Sequence, residues 1–88
     1  MRQPPEFFGE ADLDLIYIAK KLDDAKHLEA VLDEVGLDYL VEPDLYKGGV
    51  IFQSERIGAF FYVAPEAKEQ ARSTLLGAGY KPYDAENP

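Results

Sequence analysis

The chain has 88 residues, which is enough for one small domain and too few for two, because compact domains typically hold about 100 to 150 residues. Seventeen acidic and nine basic residues give a net charge of -8, a sign that opposes broad binding to nucleic acids or anionic lipids. A hydrophobic content of 47% argues against disorder, and the absence of cysteine excludes disulfides, thiolate metal sites and thiol nucleophiles.

Residues 1–12 show no helical or strand period and contain Pro4, Pro5 and Gly9, so we predict a flexible N-terminal arm. The arm lacks the basic-then-apolar order of a signal peptide, and no apolar run approaches the roughly 18 residues of a membrane span. We therefore expect a cytoplasmic protein without a membrane segment.

The first regular elements are a strand and a helix. Residues 13–19 (LDLIYIA) are apolar at both parities after the aspartate, which predicts an interior strand. Residues 22–25 (LDDA) open a helix, because an aspartate can cap its free N–H groups and suits the positive end of its dipole. Apolar side chains recur at spacings of three and four from Ala25 to Val35, and Gly36 ends the helix.

The middle of the chain reads as strands and turns. Residues 37–41 alternate as a second strand, after which Pro43 marks the start of a loop. Residues 50–52 and 57–63 are both strand-like. Residues 54–56 between them resemble a hairpin turn, although one bulged strand fits nearly as well.

The last third predicts a second helix that begins at Pro65, carries apolar residues at every fourth position and stops at Gly77. Residues 79–83 would add a short edge strand, and residues 84–88 form an acidic tail. The order βαββαβ predicts an α+β ferredoxin-like plait over residues 13–83, with two helices on one face of an antiparallel sheet.

Strand alternation predicts an aromatic patch of Tyr17, Phe60 and Tyr62 on the sheet face that the helices leave open. Exposed apolar patches on small proteins usually mark binding surfaces. The N-terminal arm, with Phe7 and Phe8, could cover this patch, or a second copy of the sheet could do so. We favour the second copy and predict a homodimer, because the pairing would supply core that a chain this short lacks.

The same strands also resemble the RNA recognition motif. Residues 16–22 are similar to its first signature segment and residues 56–63 to its second, although Gly58 stands where that second segment has a base-stacking aromatic. The resemblance implies that Tyr17 and Phe60 would stack two bases. Single-stranded RNA binding is therefore the alternative function, and the acidic surface opposes it.

A candidate ligand loop is formed by Lys47, Gly48 and Gly49, whose backbone N–H groups can face an anion. The loop lacks the spacing of a P-loop and leads into a strand, so a turn is the favoured interpretation. A small-molecule sensor that uses this loop is the third interpretation.

Residues for catalysis or metal binding are scarce. His27 is the only histidine and lies on the flank of the helical stripe, where it reads as a boundary residue. The acidic pairs do not have the spacing of a calcium-binding loop. We predict no cofactor, no metal and no catalytic residue.

Four segments carry a family resemblance: a strand ending in residues 17–19 (YIA), a helix over residues 24–32 (DAKHLEAVL), Gly36 before a strand, and residues 62–66 (YVAPE) leading into a helix. Across residues 13–79 the chain resembles the small prokaryotic signal-transducing protein family, uncharacterised ferredoxin-like domains that have been compared with the nitrogen-regulatory PII proteins. The resemblance implies a shared fold and brings no catalytic residue with it. We therefore expect a non-enzymatic regulatory or protein-interaction module.

Overall fold

The computed structural model describes residues 1–48 and 54–84 as an antiparallel sheet with two helices, flanked by 3₁₀ turns at Pro5–Phe8 and Pro65–Ala67. This confirms the predicted α+β class. The elements are strand β1 (Asp14–Ala19), helix α1 (Leu22–Glu34), strand β2 (Leu40–Gly48), strand β3 (Ser54–Val63) and helix α2 (Lys68–Gly77).

The three strands lie in the order β1-β3-β2, and β3 is antiparallel to both neighbours. Strands β1 and β2 therefore run parallel to each other, and α1 carries the chain across β3 between them. Because β3 is central, β1 and β2 each have one outer edge, and the prediction of an interior strand at residues 13–19 is wrong. Both outer edges receive only isolated backbone contacts from the chain termini, as described below.

A β-bulge interrupts the pairing of β1 with β3. Leu15 pairs with Tyr62 and Tyr17 pairs with Phe61, so Ile16 is an extra residue with no partner. The extra residue reverses the alternation of faces along β1, because paired residues share a face. Ile16 and Tyr17 consequently both point towards the helices, a geometry that strict alternation cannot produce.

The hydrophobic core lies between the helices and one face of the sheet. On β3 the core residues are Phe61 and Val63, which occupy alternate positions of the strand. The helical stripe supplies buried residues at the predicted spacing of three and four. The fully enclosed helical side chains are Leu28, Leu32, Ala71 and Leu75.

Helix α1 begins and ends close to the predicted residues. Its N-cap is Lys21 and makes no side-chain capping hydrogen bond, so the two aspartates act from within the first turn, where they complement the helix dipole. Gly36 has a φ of 73°, the left-handed conformation that a helix exit requires.

One prediction for the hairpin region is wrong, and one choice between two alternatives is decided. Strand β2 does not end before Pro43 but runs through it, with Pro43 paired to Ala59. The missing proline N–H is tolerated because β2 is an edge strand. Residues 54–56 are the first residues of β3 and not a turn, which agrees with the single-strand alternative over the described residues. The predicted strand at residues 50–52 lies outside the described residues.

The predicted fourth strand is not formed in the described part of the chain, so the full four-stranded plait is not shown. The C-terminal segment nevertheless follows the outer edge of β1, where the backbone N–H of Tyr83 donates to the carbonyl of Ile16 at 2.7 Å. Arg72 of α2 donates from Nη1 to the Tyr83 carbonyl at 2.9 Å. These two hydrogen bonds hold residues 80–84 beside the sheet.

The N-terminal residues contact the start of β2. Gln3 donates its backbone N–H to the Tyr39 carbonyl at 2.8 Å, and Arg2 bridges to Tyr39 in parallel. The buried Tyr39 side chain donates its hydroxyl hydrogen to Asp33 Oδ1 at 3.0 Å. Within residues 1–48 and 54–84, no helix is long and apolar enough to cross a membrane.

Candidate functional site

The predicted aromatic patch is divided between the two faces of the sheet. Tyr17 lies on the helix side, packed against the core and in edge-to-face contact with Tyr80 at a centroid distance of 5.3 Å. Phe60 lies on the opposite face, because it pairs with Ile18, and it is 8% exposed within the single chain. Tyr62 shares the face of Phe60 and is half-buried. The prediction that all three share one open face is therefore wrong, and the β1 bulge is the reason.

This division removes the argument that led to two of the predicted functions. Tyr17 and Phe60 cannot stack neighbouring bases from opposite faces of a sheet. The open face also carries exposed carboxylates at Glu42 and Asp44, which share the face of Tyr62 and would repel phosphates. Self-association stays a prediction, without the exposed three-aromatic surface proposed for it.

A different site is present where β1 ends and the β2–β3 hairpin continues past it. A pocket of about 550 Å³, open to solvent, lies between the end of β1, the first turn of α1, the hairpin and the C-terminal segment. Four lysines line it, and all four are exposed: Lys20, Lys21, Lys47 and Lys81. We call this site the lysine–tyrosine pocket.

The four lysines reach the pocket from three separate parts of the chain. Lys20 and Lys21 form the link between β1 and α1, so the end of edge strand β1 places them at the pocket rim. Lys47 is near the end of β2 and pairs with Glu55 in the hairpin. Lys81 lies in the C-terminal segment that follows the edge of β1. None of the four makes an ion pair within 4.0 Å in the described part of the chain.

Three tyrosines also line the pocket, and one of them, Tyr46, packs directly on the sheet. A Cβ built on Gly58 would lie 3.1 Å from Cδ1 and Cε1 of Tyr46 and 3.1 Å from the Ala19 carbonyl oxygen. The Tyr46 ring therefore lies directly on the Gly58 backbone. The Lys20 ammonium lies 5.2 Å from the centre of the same ring, within cation–π distance. The other two tyrosines of the lining are Tyr17 and Tyr83.

The C-terminal segment forms one wall of the pocket through Pro82 and Tyr83. Two hydrogen bonds to the Tyr83 backbone hold this wall in place, one from its N–H to the Ile16 carbonyl of β1 and one from the Arg72 side chain of α2 to its carbonyl. Tyr80, just before it, contacts Tyr17, and its hydroxyl lies 2.5 Å from Nδ1 of His27 on α1. His27 is thus an exposed hydrogen-bond partner of this segment, in keeping with its predicted boundary position.

The pocket lining combines charged and apolar side chains. Asp24 and Asp84 contribute the carboxylates of the lining, so the four lysines leave two net positive charges. Burial, then the charge of Asp24 and then Tyr80 raise the pKa of Tyr17, which keeps this hydroxyl neutral and able to donate. Ile18 and Pro82 add apolar surface. The lining can contact both an anion and a ring or hydrocarbon group.

The sequence interpretation identified one part of this site. Lys47 lines the pocket, but Lys47 and Gly48 lie in β2 rather than in a loop, and Gly49 is outside the described residues. Sequence reasoning missed the contributions of Lys20 and Tyr46. The available signal was Gly58, because a glycine inside a strand often marks a close approach by another group.

Among the described residues, no group of three or more histidine, cysteine or acidic side chains is arranged to hold a metal ion. No family model, curated protein or solved structure matches the chain. The fold and the lysine–tyrosine pocket are therefore the basis on which a function is argued.

Proposed function

We propose that this α+β domain is a non-enzymatic binding module that takes up a small anionic organic molecule in the lysine–tyrosine pocket. One observation carries the proposal. Four of the nine basic residues of a chain with net charge -8 line a single pocket, although they come from three separate parts of the sequence. Such a concentration of one charge in a concave site favours a ligand of the opposite charge.

The size of the interaction shows why charge alone is insufficient. An exposed ion pair is worth about 0.2 to 1 kcal/mol, so four such pairs sum to at most about 4 kcal/mol, which corresponds to a dissociation constant near 1 mM. Tighter binding needs burial of apolar surface as well. Tyr46, Ile18 and Pro82 provide that surface beside the lysines.

The composition of the lining favours binding over chemistry. Its described polar side chains are lysines, tyrosines and two aspartates. Lysine acts as a nucleophile when a hydrophobic pocket desolvates it, whereas all four lysines here are exposed. A binding role for this pocket agrees with the third sequence interpretation, which is a small-molecule sensor that uses the candidate loop at Lys47.

A thermal-shift screen tests the proposal with a panel of small anionic metabolites and their uncharged counterparts. A ligand that binds only the folded state at 100 times its dissociation constant stabilises it by about 2.7 kcal/mol, which raises the melting temperature of a domain this size by roughly 10 to 20 °C. We expect such shifts for organic anions and none for the uncharged counterparts.

Two pocket variants and one matched control make the screen specific. Lys20→Gln and Lys47→Gln each remove one positive charge from the pocket, whereas Lys26→Gln removes one from an exposed position of α1 outside it. The pocket variants should reduce the shift and the control should leave it unchanged. An absence of shifts across the panel, or equal losses in all three variants, would contradict the proposal.

A further inference from the structure

The lysine–tyrosine pocket is built for a ligand with two distinct parts. Resting on the proposed function, we infer that this ligand is a phosphomonoester whose organic group is a ring. The inference depends on three properties of the pocket, which are its volume, its net charge and the position of one lysine next to one aromatic ring.

The volume is larger than a bare inorganic ion needs. Pockets for drug-sized organic ligands span about 300 to 1,000 Å³, and the value here is about 550 Å³. A water molecule takes about 30 Å³ of liquid, so a single phosphate ion would leave most of the pocket filled with water. An organic group attached to the anion would displace that water.

The charge selects a phosphomonoester among organic anions. Four lysines and two aspartates leave two net positive charges in the lining. A phosphomonoester carries about -1.5 to -2 at pH 7 and presents three acceptor oxygens, whereas a carboxylate carries only one negative charge. The described lining contains lysine and no arginine. Lysine binds phosphate as a point charge with rotatable donors, so these lysines can approach a tetrahedral group from several sides.

The position of the ring is set by Tyr46. Its ring lies on the Gly58 backbone, with the Lys20 ammonium 5.2 Å from its centre. Positive charge and aromatic surface are therefore adjacent, and Ile18 and Pro82 continue the apolar surface. A ligand with its anionic group directly attached to a ring can contact Lys20 and the aromatic surface at once.

Phenyl phosphate is the probe that contains both parts and little else. Isothermal titration calorimetry would compare it with phenyl sulfate, which has the same shape and one negative charge, and with inorganic phosphate, which has no ring. We expect phenyl phosphate to bind at least about tenfold more tightly than either. Lys20→Gln should weaken phenyl phosphate binding several-fold more than it weakens phenyl sulfate binding, and Lys26→Gln should weaken neither.

Each result has a separate meaning. Equal affinities for phenyl phosphate and phenyl sulfate would overturn the preference for a doubly charged group, and the proposed anion-binding function would stand. Equal affinities for phenyl phosphate and inorganic phosphate would overturn the inference that a ring contributes to binding. If neither these probes nor any member of the thermal-shift panel binds, the proposed function and this inference both fail. Circular dichroism of each variant confirms that a loss of binding is not a loss of fold.

Discussion

Replacement of Gly58 by alanine tests the close contact on which the pocket wall depends. The new methyl group would lie 3.1 Å from two ring carbons of Tyr46 and 3.1 Å from the Ala19 carbonyl oxygen. These separations are shorter than the 3.5 to 4.0 Å at which carbon atoms pack best, and the carbonyl belongs to the backbone of a core strand. The Tyr46 ring must therefore move away from the sheet.

The expected change in stability has two opposing parts. Alanine is favoured over glycine inside a strand by roughly 0.5 to 1 kcal/mol, because it loses less conformational freedom on folding. Forcing an extra methyl group into a packed site costs about 1 to 3 kcal/mol. The net expectation is a loss of about 1 kcal/mol, which lowers the melting temperature by about 4 to 8 °C.

Gly77→Ala is the matched control, because a Cβ there meets nothing within 4 Å and Gly77 is the last residue of α2. This variant should gain about 0.4 to 1 kcal/mol. Urea unfolding of both variants measures the difference. The double variant Gly58→Ala/Tyr46→Ala should lose less stability than the sum of the two single losses, because removing the ring removes its clash with the new methyl group. A Gly58→Ala protein that gains as much stability as Gly77→Ala would refute the packing of Tyr46 on Gly58.

Two further predictions concern stability. Burial, the hydrogen bond to Asp33 and the nearby carboxylates raise the pKa of Tyr39 above its ordinary value of about 10. The contribution of Tyr39 to the free energy of unfolding is therefore fully present below pH 10 and is lost as the pH rises beyond it. Urea titrations at pH 9, 10 and 11 should show this loss, and Tyr39→Phe should reduce it. An unchanged pH slope in Tyr39→Phe would contradict this assignment. Leu28→Ala should lower the free energy of unfolding by about 2 to 5 kcal/mol, because Leu28 is fully buried. Leu76→Ala, at an exposed position of the other helix, should change it by no more than about 0.5 kcal/mol in the same urea assay. Similar losses in both variants would contradict the placement of Leu28 in the core.

The helices and strands could be predicted because each is encoded locally. Apolar residues at helical spacing, Gly36 at a helix exit and the β-branched run of β1 are all visible in a short window of sequence. The same local view failed at Pro43. Proline is excluded from central strands but accepted at an edge, and the position of a strand in a sheet is decided by partners far along the chain.

The faces of β1 and the pocket could not be predicted for a related reason. A bulge at Ile16 reverses the alternation of side chains between the two sheet faces, and nothing in the residue types of β1 indicates the bulge. The lysine–tyrosine pocket unites Lys20, Lys47 and Lys81, which are separated by about 30 residues each in the sequence. Only the fold brings them to one place, and a net charge of -8 for the whole chain conceals their local excess of positive charge.

An amide NMR titration of the ¹⁵N-labelled protein with phenyl phosphate tests the proposed binding site most directly. Chemical-shift changes should be saturable and should concentrate on pocket residues, with smaller changes at the opposite end of β2 around Arg2. The pocket amides to follow are those of Lys20, Lys21, Tyr46, Lys81, Tyr83 and Asp84. The Lys47→Gln variant should show the same pattern at a higher midpoint concentration. Changes that do not saturate, or that centre on residues outside the pocket, would contradict the assignment of the lysine–tyrosine pocket as the ligand site.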